Sequence, residues 1–130
     1  MALPAPTRPA LQAARGEDGG SPVLTYFAKA GLGVRVGTRW RLSVADDARE
    51  HLRIGWGAPA VPTTAIGPAP GSGCRSASRS GWLWYPGGYW TDEPGCYSVV
   101  VHAAGRLQQV PIGVGAPCPG QRPPVDTSAR

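Results

Sequence analysis

A chain of 130 residues with 42% hydrophobic content is long enough for one domain and too short for two. Its 19 glycines and 15 prolines make up about a quarter of it, near the level at which a packed core becomes hard to build. The formal charge of +5 comes almost wholly from scattered arginines, which argues against a nucleic-acid binder, and no apolar run approaches the roughly 20 residues of a membrane span.

Residues 1–22 combine Ala, Pro, Gly and charge without periodicity and read as a disordered tail or linker. They contain no apolar run of the kind a secretory signal carries. Ser21 and Pro22 suit an N-cap and a first helical position, so 23–30 reads as a short helix closed by Gly31. Val23, Thr25, Tyr26 and Phe27 suit a strand equally well, and both readings stay open.

Residues 34–44, VRVGTRWRLSV, alternate cleanly. Val34, Val36, Thr38, Trp40, Leu42 and Val44 point one way, and Arg35, Gly37, Arg39, Arg41 and Ser43 the other. That is one strand of an antiparallel sheet, core on one face and water on the other. The row Arg35, Arg39 and Arg41 is expected to be a solvated strand face that discourages edge pairing. The glycines at 31, 33 and 37 approach a dinucleotide fingerprint. A strand follows them where the pyrophosphate needs a helix N-terminus, and this excludes the reading.

Residues 46–50 are a charged connection with room for one helical turn. Leu52, Ile54 and Trp56 form another alternating strand, and 63–66 can hold a brief extended piece. Residues 74–80 are polar, basic and loop-like. Trp82, Leu83, Trp84 and Tyr85 form an aromatic strand that Pro86-Gly87-Gly88 should break as a turn. Tyr89 and Trp90 then resume an extended run. A second Pro-Gly turn at Pro94-Gly95 precedes a hairpin. Its first strand carries Tyr97, Val99, Val101 and Ala103 on one face, and its second carries Val110, Ile112 and Val114. Pro111 lacks a donor, so that second strand should lie at a sheet edge or bulge there. Residues 119–130 read as a second disordered tail.

The expected architecture is all-β: an antiparallel sandwich over 23–118 between two tails. Folding the hairpin about Gly105 brings Cys96 and Cys118 toward one end, where a bridge is plausible. Cys74 is the odd cysteine, free or an alternative partner for either. Bridged cysteines point to an oxidising compartment.

No arrangement of catalytic residues stands out. Cys96 and His102 share a strand face but lie too far apart along it to hydrogen-bond. The adjacent carboxylates Asp92 and Glu93 diverge on an extended chain. The cysteines, 22 residues apart each time, offer no local zinc chelate. Trp40, Trp56, Trp82 and Trp84 are expected to fill the core. With Trp82 and Trp84 inward, Tyr85 faces outward with Tyr89 and Trp90 nearby. Those three are the candidate ligand contacts, suited to stacking on a sugar ring or anchoring a protein.

The stretches RVGTRWRLSV, LRIGWG, GWLWYPGGYWTDEPGC and VPIGVGAPC together resemble a small immunoglobulin-like module. Such modules occur in uncharacterised extracytoplasmic proteins and lipoproteins of high-GC Gram-positive bacteria. The resemblance covers residues 34–118. It implies an immunoglobulin-like sandwich and an extracytoplasmic setting; the expected role is a non-enzymatic structural or interaction module, with a carbohydrate- or cell-wall-binding module using the exposed aromatics as the alternative. No cofactor is expected, and the aromatic residues suit a protein or a cell-wall glycan as partner.

Overall fold

The computed structural model describes residues 9–15, 24–57, 59–68 and 81–125. Among the described residues ten strands follow in chain order: β1 (Ala14–Arg15), β2 (Tyr26–Lys29), β3 (Leu32–Arg35), β4 (Trp40–Val44), β5 (Leu52–Trp56), β6 (Ala65–Ile66), β7 (Trp82–Tyr85), β8 (Gly87–Thr91), β9 (Gly95–Ala103) and β10 (Arg106–Val114). A 3-10 turn, Asp46–Ala48, fills the charged connection after β4. The protein is all-β, as expected.

One sheet runs β1-β2-β8-β5, a second runs β10-β9-β4-β6, and β3 pairs with β7 in a two-stranded sheet. Two crossing segments stitch the four-stranded sheets together. Thr63 exchanges backbone hydrogen bonds with Ile54 of β5, Thr64 then accepts one from Val44, and β6 pairs with β4. On the other side Leu11 bonds across to Gly113 and Gly115, and β1 continues onto β2. Side chains from both sheets form one core, including Ala28, Leu52, Ile54 and Tyr89 from the first and Leu42, Val44, Val99, Ile112 and Val114 from the second.

The alternation at 52–56 survives intact: Leu52, Ile54 and Trp56 are all buried. Residues 34–44 instead divide between two sheets. β3 ends at Arg35, Gly37 takes a φ of +83° in a turn, and β4 begins at Trp40. A glycine at a left-handed position lets the chain turn without a Cβ clash, and Val36 is left exposed at the corner. Of the two readings of residues 23–30, the strand is realised, at Tyr26–Lys29. Leu11 and β1 lie within the stretch assigned to the first tail. Their pairing partners are distant in sequence, so no local period marks them.

The largest correction concerns Pro86-Gly87-Gly88, which does not reverse the chain. The register Tyr26↔Thr91 to Lys29↔Gly88 continues as Leu32↔Tyr85 to Arg35↔Trp82, with two residues skipped on each side. β2 with β3, and β7 with β8, are therefore the two sides of one bent ribbon. Proline removes a donor at the bend. A Cβ on Gly87 would run into the backbone of Gly55 and Trp56, so only glycine passes there. β8 thus becomes a central strand between β2 and β5.

Cys96 and Cys118 form a disulfide, with Cα atoms 4.8 Å apart. Cys96 pairs across the hairpin with Gly113, and residues after Gly115 fold back so that Gln121 Oε1 accepts from the Cys118 amide. β10 is the last strand of its sheet, where Pro111 costs no ladder bond on the outer side. The hairpin turns at Ala104-Gly105, with φ of +52° and +71°, the geometry of a type I′ turn. Alanine is a poor occupant of that first position, because its Cβ crowds the carbonyl in left-handed backbone. Replacing it by the favoured residue, Ala104→Asn, should raise stability by about 1 kcal/mol in urea denaturation.

Candidate functional site

The surface best equipped for contact lies on the outer face of the β3–β7 pair. Its geometry follows from two alternations set against each other. Leu32 and Val34 of β3 are buried, and they pair with Tyr85 and Leu83 of β7. That phase leaves Gly33 paired with Trp84, and Arg35 paired with Trp82, on the opposite face. The alternation within β7 predicts Trp82 and Trp84 inward; the structure turns both outward. The deciding signal was in the partner strand. Gly33 and Arg35 cannot fill a core, whereas Leu32 and Val34 can, so the β7 residues opposite glycine and arginine must face water.

Gly33 explains how so large a side chain lies close to the sheet. A Cβ there would sit 2.6 Å from Cζ3 and 2.7 Å from Cη2 of Trp84. The six-membered ring therefore occupies the space that any other residue would claim, an indole covering a bare stretch of backbone. Trp84 still leaves 63% of its surface in solvent. Trp82 lies beside it, ring centroids 6.1 Å apart and planes within 25°. The Arg35 guanidinium stands 5.7 Å from the Trp82 ring centroid, within cation–π range.

The three aromatic residues first singled out fall elsewhere. Tyr85 is half-buried against the core and lines an apolar cleft of about 210 Å³ with Leu32, Trp40, Trp56 and Ile66. Tyr89 is fully buried, edge-on to Trp56 at 5.3 Å. Trp90 points to the outer face but is covered by Phe27, 4.9 Å away, and by the chain at Val61, which folds over Gly55. In β8 the inner face lies in the core, where Tyr89 sits, and the Phe27 side chain of neighbouring β2 covers Trp90 on the outer face. The Cys96–Cys118 pair is joined, and Cys74 lies outside the described residues.

A polar cluster closes the corner between β8 and β9. The His51 Nδ1–H donates to Asp92 Oδ2 at 2.6 Å. The buried Thr91 hydroxyl and the Tyr97 hydroxyl both donate to the Glu93 carbonyl, at 2.9 and 2.6 Å. Asp92 holds the His51 imidazole above its ordinary pKa of 6.5, first through the hydrogen bond and then through charge, with Glu50 and Glu93 adding smaller attraction. The arrangement ties the start of β5 to the strand corner. Among the described residues no three His, Cys, Asp or Glu side chains group as metal ligands, and no helix is long and apolar enough to cross a membrane.

Two outcomes are expected. The His51–Asp92 contribution to stability is complete below pH 6.5 and is lost as pH rises through the raised pKa of the folded state. Melting temperature should therefore fall as pH rises from about 6.5 through the raised pKa, by an amount that disappears in Asp92→Asn. The Tyr89 hydroxyl is buried with no hydrogen-bond partner among the described residues. Removing an unsatisfied buried polar atom relieves its desolvation penalty, so Tyr89→Phe should raise stability by about 1 kcal/mol in the same denaturation assay. No family model matches this chain, and neither does any curated protein or solved structure.

Proposed function

We propose that the chain is a non-enzymatic, immunoglobulin-like binding module of an extracytoplasmic protein, and that it binds through Trp84 and its neighbours. The observation that carries the binding role is an indole left 63% exposed in a small domain whose core has use for every large apolar side chain. Trp84 gains little for the core where it stands. It covers Gly33 on one side and offers its other side to a partner.

Strand order supports the immunoglobulin-like reading. In that fold strands A, B, E and D form one sheet, facing C, F and G. Here β1, β2, β8 and β5 stand in the A-B-E-D order, and β10, β9 and β4 in the G-F-C order, with β6 added beside C. Tyr97 supports it as well. It sits at the start of the F-like strand, and its hydroxyl returns to the backbone four residues upstream, as in a tyrosine corner. The disulfide differs from the antibody pattern: it ties the end of the F–G hairpin to the chain that follows, and Val99 stands in the core of the F-like strand.

The extracytoplasmic setting rests on that same disulfide, which persists where thiols are oxidised. With Cys96 and Cys118 joined, one of the three cysteines remains. Alkylation of the native protein followed by mass spectrometry should count one reactive thiol per chain, rising to three after reduction and unfolding. Three thiols in protein purified from its native compartment would rule the setting out.

A further inference from the structure

Resting on the binding role of the Trp84 face, we infer that its ligand is an acidic polysaccharide, one whose pyranose rings carry carboxylates. Three features of the face converge on that chemistry. The first is shape. Trp84 is 63% exposed and stacks on Trp82, ring centroids 6.1 Å apart and planes within 25°, so one open indole surface is backed by a second ring. A pyranose has an apolar C–H face and a polar rim, so it can rest on an indole while its hydroxyls stay in water.

The second feature is the arginine over the backing ring. Arg35 is exposed and approaches the Trp82 ring. A guanidinium near an aromatic ring keeps its N–H donors in its own plane, where they form a fork matched to a carboxylate. Among the described residues no carboxylate pairs with Arg35. Nearby, the cation is held by the ring rather than by an opposite charge, so a ligand carboxylate meets it without displacing an existing ion pair. A neutral sugar would leave the guanidinium unused.

The third feature is the charge of the whole chain. A formal +5 in 130 residues attracts polyanions at long range and opposes approach by other basic surfaces. Nucleic acid is also a polyanion with stackable rings. The disulfide favours the polysaccharide, because a bridge persists in oxidising surroundings, where cell-wall and capsular polymers are found and free nucleic acid is not the usual partner.

The test uses the full oxidised chain and follows tryptophan fluorescence and calorimetric heat. The probes are polygalacturonate, its fully methyl-esterified uncharged form, and a single-stranded oligonucleotide. The expected result is binding of polygalacturonate about tenfold tighter than of the ester, with the difference shrinking in high salt. Arg35→Gln should bring the affinity for polygalacturonate down to that for the ester. Trp84→Ala should abolish binding of both, and Trp84→Phe, which keeps a ring over Gly33, should retain part of it. Equal binding of acid and ester, or indifference to Arg35→Gln, overturns the acidic specificity and leaves the Trp84 face as a binding surface. Oligonucleotide binding as tight as that of polygalacturonate overturns the sugar assignment. Wild-type protein that binds neither polymer overturns the acidic-polysaccharide inference. A polymer-binding Trp84→Ala variant with wild-type affinity sinks the Trp84 face itself.

Discussion

The ribbon formed by residues 26–35 and 82–91 constrains everything else in this domain. It keeps a single register across a break at Ala30-Gly31 and Pro86-Gly87, where Pro86 has no amide to donate and only glycine fits beneath Trp56. The break is not left open. The Ala30 amide donates to the Gly87 carbonyl, the Gly57 amide to the Pro86 carbonyl, and the Trp56 indole N–H to the Ala30 carbonyl at 2.6 Å. On one side of the break the ribbon is the centre of a four-stranded sheet. On the other it is a two-stranded sheet whose outer face carries tryptophan. One bend thus converts a strand covered on both faces into one whose far face meets water.

Small β domains must also manage their edges, which otherwise recruit other chains. Here the segments at 11–15 and 63–66 each touch both four-stranded sheets, so two of the edges become seams. Each seam is short, yet each supplies backbone partners to strands that would lack them. Among the described residues, the length of β10 toward the hairpin tip, Arg106 to Val110, pairs only with β9. Pro111 interrupts the donors on that side, a common device for blunting an edge. The disulfide acts at the far end of the same hairpin, where the returning chain packs its Gln121 side chain against Gly113.

The sequence made some of this legible and hid the rest for a physical reason. The strand at Leu52–Trp56, the hairpin about Gly105 and the Cys96–Cys118 geometry are readable because each depends on neighbours in the chain. The period of two was equally readable at Trp82–Tyr85, but a period has two phases. Both phases there put an aromatic residue inside, so composition could not choose between them. The choice was made by Gly33 and Arg35, some fifty residues earlier, and became visible only once the register was known. The same blindness to pairing misplaced Tyr89 and Trp90. Pro-Gly-Gly suits a turn and suits equally a strand that must pass closely beneath another. The glycines decide for passage here because the backbones of Ala28 and Gly55 lie where side chains would go.

Trp84 on Gly33 invites a purely structural account, in which the indole repairs the weakness of a glycine in a strand. That account explains one face of the ring and leaves the sequence choice unexplained, because alanine at position 33 would need no repair. Glycine in a strand costs stability relative to alanine, and an exposed tryptophan costs solubility. Two unfavourable residues facing each other across a register are stable together, but simpler pairs would be more so. What the pair achieves that simpler pairs do not is an indole held close to the sheet, its orientation fixed by the backbone beneath, beside a second indole and a guanidinium. A side chain fixed in that way loses little further freedom when a ligand settles on it, which is the condition under which a small contact area yields useful affinity.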